Sequence, residues 1–305
     1  MKKIMLLCLL LSGICMTACT GSVAEQESMG LRVMTSNFPL YDFARQVGGD
    51  LVEVELLLDP GVESHSFEPT PQDIIAIQKA DLFFYIGGES ETWIDSIVAS
   101  SERKNSVALI ESVELLAEEE ESHKDHGTHE ADEHIWTSPK NAVKMARVIC
   151  QSFCQADPEH SQLYQEQFAD YEQKLLNLDQ TFQDVVTSGT RREIVFGDRF
   201  PFLYFTHEYG LDYYAAFPGC AAQAEPSAAT MAFLIQKVKE DHIPVVFYLE
   251  LSNQSIANAI GEATGAKTAL FHSCHNLSKQ EFEQGETYLS LMEKNAQRLK
   301  EALNE

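Results

Sequence analysis

The sequence predicts an α/β protein of two similar lobes, each with a mainly parallel sheet, joined by one long rigid helix. Three observations predict this fold class. Short apolar runs alternate with helical stretches from Leu31 onward, and the same alternation begins again after residue 188. A single helical pattern of about thirty residues separates the two series. The chain has 305 residues and is 44% hydrophobic, which is enough for two cores.

The N-terminus has the pattern of an export signal. Within residues 1–18, Lys2 and Lys3 precede the apolar run Ile4–Met16, which is too short to span a bilayer comfortably. Small residues directly before Cys19 resemble the cleavage motif of bacterial lipoproteins. That resemblance implies lipidation of Cys19, with residues 19–30 as a tether. The alternative is a plain cleaved signal peptide, and both alternatives predict an exported protein.

The first lobe is predicted over residues 31–156. Its strand candidates are Leu31–Ser36, Leu51–Leu57, Leu82–Ile86 and Val107–Ile110, and its helix candidates are Pro39–Val47, Pro71–Lys79 and Glu91–Ser100. Thr70 and Ser138 each precede a proline, as a capping residue does at the start of a helix. This alternation of strand and helix predicts a parallel sheet.

A connecting helix is predicted over residues 157–187. Its apolar residues recur at steps of four and three, at Tyr164, Phe168, Tyr171, Leu175, Leu178, Phe182 and Val185. At 1.5 Å per residue, about thirty residues span about 45 Å. That length suits a rigid connection between lobes. The alternative is a long helix that packs on one lobe only.

The second lobe is predicted over residues 188–305. Its strand candidates are Glu193–Phe196, Leu211–Ala216, Val245–Leu249 and Thr268–Phe271, and its helix candidates are Ser227–Asp241, Gln254–Thr264 and Glu286–Leu303. The two halves share an architecture, so we expect a pseudo-duplicated protein.

The charge and the histidines point to cations. A formal net charge of −25 makes the chain a poor partner for nucleic acid. An acidic loop over residues 118–133 contains His123, His126 and His129, and His134 follows it directly. Imidazole and carboxylate are good ligands for transition metals, so the loop is interpreted as an auxiliary metal collector. The alternative is a solvated acidic loop with incidental histidines.

Four cysteines follow Cys19, namely Cys150, Cys154, Cys220 and Cys274. Four cysteines allow three pairings, and the sequence does not choose among them. A disulfide between Cys220 and Cys274 is one option in an exported protein. A thiolate metal ligand is another.

Several motifs together resemble the zinc and manganese solute-binding proteins of ABC importers. Pro60–Pro71 is similar to the first ligand loop of that family, and His134–Pro139 is similar to its second ligand motif. Segments Glu225–Ser227, Val246–Glu250 and Asn258–Ala266 fit its C-terminal lobe. The resemblance extends from about Leu31 to Leu303, and the acidic histidine-rich insertion is typical of zinc-specific members.

The resemblance implies metal ligands in both lobes. His65 and His134 match the first two. The third is usually a histidine, but Arg199 occupies its place here, and Asp198 beside it is a candidate substitute. An arginine cannot be a ligand, so the third position is open.

The fourth ligand is usually an aspartate near the end of the second lobe. His272 occupies that place here, and Cys274 and His275 are close enough in sequence to substitute for it. Glu250 is a further carboxylate at a strand end, where the ligands of open α/β sheets gather.

The implied function is an extracytoplasmic, membrane-anchored Zn²⁺ receptor that serves an ABC permease and its ATPase subunit. Imidazoles with one carboxylate or thiolate suit tetrahedral Zn²⁺, whereas Mn²⁺ prefers more oxygen ligands. No nucleotide-binding loop of the G-x-x-x-x-G-K type occurs, so other subunits must supply the energy. We expect a monomer and no enzyme activity. The alternatives are a manganese receptor, a surface adhesin lipoprotein, and a zinc hydrolase, which would lack the H-E-x-x-H helix.

Overall fold

Two four-stranded parallel sheets form the framework of this protein in a computed structural model. The structure describes residues 30–63, 67–100, 105–116, 131–217, 219 and 225–304. The strand orders are β2-β1-β3-β4 and β6-β5-β7-β8, and every neighbouring pair is parallel. The repeated order confirms the predicted class of two similar α/β lobes.

The first lobe follows its predicted elements closely. Its strands are β1 Leu31–Thr35, β2 Val52–Leu56, β3 Leu82–Tyr85 and β4 Ser106–Ala108, and its helices are α1 Phe38–Gly48, α2 Pro71–Lys79, α3 Trp93–Ser100 and α4 Pro139–Ala156. The last strand is shorter than predicted, because the chain turns into a 3-10 helix at Leu109–Ser112. Thr70 caps α2 with a reciprocal bond to Asp73, as its position before a proline predicts.

The second lobe repeats the pattern. Its strands are β5 Glu193–Phe196, β6 Asp212–Ala215, β7 Val245–Tyr248 and β8 Lys267–Leu270, and its helices are α6 Leu203–Tyr209, α7 Ala228–Glu240, α8 Ser255–Thr264, α9 Lys279–Glu283 and α10 Tyr288–Asn304. The short helices α6 and α9 were not predicted. Each has too few turns to show a clear apolar period.

The connecting helix α5 comprises Ser161–Ser188, after a 3-10 turn at Pro158–His160. Its 28 residues span about 42 Å. The predicted apolar stripe is its buried face, which packs against α1 and α4 of the first lobe and against α6 and α10 of the second. The helix therefore joins the lobes and does not pack on one alone.

The two lobes share a hydrophobic core. One cluster of buried side chains includes Phe43 of the first lobe, Tyr171 of α5, and Phe196 and Tyr288 of the second lobe. Residues in both sheets thus lose solvent exposure together, which favours a fixed relative position of the lobes. Within the described residues, none of the helices combines the length and the apolar character needed to cross a membrane.

Candidate metal centre

A cleft of about 320 Å³ lies at the carboxyl ends of the two sheets. Segments that follow β2, β5, β7 and β8 line it, and the first lobe also supplies His134. The charged and imidazole side chains on its wall are Glu63, His134, Asp198, Arg199, Glu250 and His275. Open α/β sheets bind ligands at this edge, where loops from several strands converge.

His134 is held in a fixed orientation by Asp132. The Asp132 carboxylate accepts the backbone N–H of His134 at 2.7 Å and lies 3.1 Å from its ring Nδ1. Both residues are buried. A carboxylate beside one ring nitrogen is the usual arrangement around a metal-binding histidine, whose other nitrogen then faces the metal.

His275 meets His134 from the opposite lobe. The two ring centroids are 5.5 Å apart and the rings are nearly perpendicular, at 81°. Trp136 packs against both imidazoles, with centroid distances of 5.3 Å to His134 and 4.9 Å to His275. The indole Nε1–H donates to the Ser273 carbonyl at 2.8 Å, so this tryptophan fixes the two histidine segments relative to each other.

The loop that leads to His65 is attached to the His275 segment. The side-chain amide of Asn276 donates to the carbonyls of Asp59 and Val62, both at 2.9 Å. Gly61 N–H donates to the Leu277 carbonyl at 2.8 Å. His65 itself lies outside the described residues, two positions after the cleft residue Glu63.

Asp198 and Glu250 line the cleft, but their oxygens bind neighbouring groups. Asp198 accepts the backbone N–H of Arg199 at 2.9 Å and that of Leu249 at 3.1 Å, which connects the ends of β5 and β7. Glu250 accepts the Ser273 N–H at 2.8 Å with one oxygen and the Ser273 hydroxyl with the other. Both carboxylates therefore brace the loops around the cleft.

His272 and Cys274 are buried and do not line the cleft. His272 is fully buried, and its Nδ1 accepts the Cys274 N–H at 2.9 Å. Its Nε2 lies 3.7 Å from an oxygen of Glu281, and this imidazole together with Ser278 lowers the pKa of Glu281 to about 2. Burial raises the pKa of the Cys274 thiol well above its usual value, so the thiol stays protonated at neutral pH.

Arg199 crosses the cleft to the first lobe. Its Nη1 donates to Glu63 at 3.2 Å. The arginine side chain is 31% exposed and the glutamate side chain is 50% exposed. A cation–carboxylate pair therefore occupies the region where the resemblance places a third histidine.

The remaining predicted site residues lie outside the described residues. They are Cys19 and the collector histidines His123, His126 and His129. The chain on either side of residues 117–130 is hydrogen-bonded, because Asp132 N–H donates to the Leu116 carbonyl at 2.9 Å. Cys150, Cys154 and Cys274 are free thiols, and Cys220 is not described.

Two residues that shape the site were not predicted from the sequence. Asp132 stands two positions before His134, and a carboxylate so close to a candidate ligand is a signal that could have found it. Asn276 carries no such signal, because its partners are more than 200 residues away in sequence. Within the ranges that the structure describes, no three His, Cys, Asp or Glu side chains are grouped closely enough to hold a metal ion.

Residues 33–302 match the ZnuA family, described as the periplasmic component A of a zinc-uptake complex. The chain belongs to this family. Its ZnuA-type relatives include the zinc-binding lipoprotein AdcA of Streptococcus pneumoniae, which is 32% identical over 313 residues. That alignment covers all of this chain and 62% of AdcA, so the chain spans less than two thirds of that relative.

A second relative matches over nearly its whole length. The high-affinity zinc uptake system protein ZnuA of Bacillus subtilis is 32% identical over 304 residues, covering 97% of this chain and 95% of that protein. Among solved structures, the Zn(II)-bound ZnuA-like domain of Streptococcus pneumoniae AdcA superposes with a TM-score of 0.77 at 30% identity. The superposition covers 90% of this chain and 100% of that domain.

Proposed function

We propose that this chain is the extracytoplasmic Zn²⁺ receptor of an ABC importer. It captures the ion between its lobes and delivers it to a membrane permease that a separate ATPase subunit drives. The observation that carries the proposal is the approach of His134 and His275 from opposite lobes, with ring centroids 5.5 Å apart on the wall of one cleft. Membership of the zinc-uptake family supports the same substrate.

The ligands that fit this function best are His134, His275 and His65. His134 binds through Nε2, because Asp132 takes Nδ1. His275 shares the cleft wall with it. His65 is included because its loop resembles the first ligand loop of the family and because nearby Glu63 lines the cleft. Imidazole donors suit Zn²⁺ better than Mn²⁺, which prefers oxygen.

The other predicted ligands have supporting roles in this proposal. His272 and Cys274 shape the turn that presents His275, because they bind each other on the buried side. Asp198 and Glu250 hold strand ends and loops in place. In this proposal the protein acts as a binding protein.

The cellular setting is part of the proposal. A lipid on Cys19 anchors the chain to the outer face of a bacterial cytoplasmic membrane or to an equivalent extracytoplasmic surface, and the receptor works as a monomer. The loop over residues 118–133 collects Zn²⁺ weakly before transfer to the cleft. Its removal should reduce uptake at low zinc concentration.

A competition titration with Zn²⁺ and Mn²⁺ tests the receptor function. The purified protein should bind Zn²⁺ more tightly than Mn²⁺. His134→Ala and His275→Ala should each weaken Zn²⁺ binding by at least about tenfold, since loss even of a residue that only supports a metal ligand typically costs 10- to 100-fold.

His207→Ala is the matched control, because His207 is exposed on α6 and does not line the cleft. It should bind Zn²⁺ as the unsubstituted protein does. Unchanged Zn²⁺ affinity in both His134→Ala and His275→Ala would refute the proposed site. Tighter binding of Mn²⁺ than of Zn²⁺ would refute the proposed substrate.

A further inference from the structure

A fixed positive charge stands in the cleft that is proposed to receive a dication. Arginine remains protonated at every physiological pH, and the Arg199 guanidinium lines the cleft. Among the described residues its only side-chain partner is Glu63, through Nη1. A guanidinium has five N–H donors, so most of its donor capacity is available to a ligand.

The protein carboxylates around the cleft are already engaged. Asp198 and Glu250 each use both oxygens to accept hydrogen bonds from neighbouring loops. Glu63 pairs with Arg199. His134 and His275 bind a metal as neutral imidazoles. Among the described residues, every carboxylate on the cleft wall therefore already has a partner, and none is left over as an anionic ligand for Zn²⁺.

The cleft is also much larger than a bare ion requires. Its volume of about 320 Å³ is about ten times the ~30 Å³ that one water molecule occupies in the liquid. It reaches the lower end of the range for small-molecule sites, about 300–1,000 Å³. Ser252 and Asn253 add polar groups to its wall, and Leu251 and Ile256 add apolar ones.

We infer that the cleft takes Zn²⁺ together with a small carboxylate-bearing chelator. The zinc binds His134 and His275, and a carboxylate of the chelator pairs with the Arg199 guanidinium in the two-pronged geometry that arginine favours. The chelator supplies the anionic ligand that the protein carboxylates do not. This inference rests on the proposed function and specifies the form in which the zinc arrives.

The Glu63–Arg199 pair does not prevent this exchange. Glu63 is half exposed, and exposed ion pairs contribute only about 0–1 kcal/mol because water and salt screen them. An incoming carboxylate can displace the Glu63 side chain at small cost. In the absence of a ligand, Glu63 neutralises Arg199.

Equilibrium dialysis with two labels tests the inference. The purified protein is dialysed against zinc-65 and either carbon-14 citrate or carbon-14 L-histidine, with each label also supplied alone. The protein should retain at least one chelator when zinc is present and neither when zinc is omitted. Arg199→Gln should lower the retained chelator by at least about tenfold, because it removes a charge-assisted pair. It should still retain zinc that is supplied without a chelator.

Two further variants sharpen the result. Glu63→Gln should retain more chelator than the unsubstituted protein, because it removes the competing carboxylate. Arg147→Gln is the matched control, because Arg147 is an exposed residue of α4 that pairs with Glu172 of α5. This variant should retain as much zinc and as much chelator as the unsubstituted protein. The inference would be overturned if the protein, dialysed with zinc and a chelator, retained the zinc but neither citrate nor L-histidine. It would also be overturned if Arg199→Gln retained as much chelator as the unsubstituted protein. Failure to retain zinc in any form would instead refute the proposed function.

Discussion

A buried carboxylate between the lobes gives this protein a specific dependence of stability on pH. Asp42 of α1 is 4% exposed and accepts the backbone N–H of Tyr288, at the start of α10, at 3.0 Å. The Tyr171 hydroxyl and the Gln46 amide donate to it at 3.4 Å each. Burial outweighs these hydrogen bonds and raises the pKa of Asp42 to about 6.

The size of the effect follows from the difference in pKa between the folded and the unfolded chain. The ordinary pKa is 3.8 and the folded value is about 6, which at ~1.4 kcal/mol per pH unit corresponds to ~3 kcal/mol. Because the folded pKa is raised, folding favours the protonated form. This contribution to stability is fully present below pH ~3.8 and is lost as the pH rises to about 6.

Asp42→Asn should remove this dependence, because an amide resembles the protonated carboxyl group and does not ionise. Urea unfolding of the metal-free protein, measured from pH 3.5 to 7.5 for both proteins, gives the free energy of unfolding of each. The two free energies should be nearly equal near pH 3.5. At pH 7 the variant should be more stable by up to ~3 kcal/mol.

Asp50→Asn is the control, because Asp50 is exposed on a turn of the same lobe. Its free energy of unfolding should stay within ~0.5 kcal/mol of the unsubstituted value at every pH. The reasoning would be refuted by a difference between Asp42→Asn and the unsubstituted protein that stays constant across this pH range. A variant that loses stability at pH 7 would show that the Asp42 anion stabilises the contact between α1 and α10.

Two further substitutions test how the site is held together. Trp136→Phe should lower the free energy of unfolding by ~1–3 kcal/mol in urea titrations, because it leaves the buried Ser273 carbonyl without its 2.8 Å donor, and it should weaken Zn²⁺ binding. Thr70→Ala should cost ~1 kcal/mol through loss of the cap on α2. The Zn²⁺ affinity of Thr70→Ala, measured by the same competition titration, should not change. A Trp136→Phe protein with unaltered stability and unaltered Zn²⁺ affinity would contradict the role of the indole in holding the two histidine segments together.

Elements with a long period or a local cap were predictable. The apolar stripe of α5 recurs from Tyr164 to Val185, over about six turns, so its buried face follows from helix geometry before any tertiary contact is known. The cap at Thr70 depends on residues only three positions apart. The start of α5 was predicted less accurately, because Pro158–His160 forms a separate 3-10 turn that the apolar pattern does not distinguish from the helix.

The site was predictable only in part. His134 was a candidate in the sequence because its neighbours Trp136 and Pro139 form a recognisable local motif, and in the structure it lines the cleft. The choice among His272, Cys274 and His275 was not available from sequence, because a loop has no period that assigns side chains to faces. Contacts made elsewhere in the fold decide the orientation of each.

The sequence by itself determined the α/β class, the duplicated lobes, the connecting helix and the zinc-uptake family, because periodicity, caps and local motifs depend on near neighbours in the chain. Only the tertiary structure decided which histidines face the cleft. Asn295 of α10 holds the backbone of His272 at 2.8 and 2.7 Å, and Cys274 turns the chain with a φ of 62°. These contacts bury His272 and bring His275 beside His134, because hydrogen bonds between distant segments, not the local sequence, set the direction of each side chain.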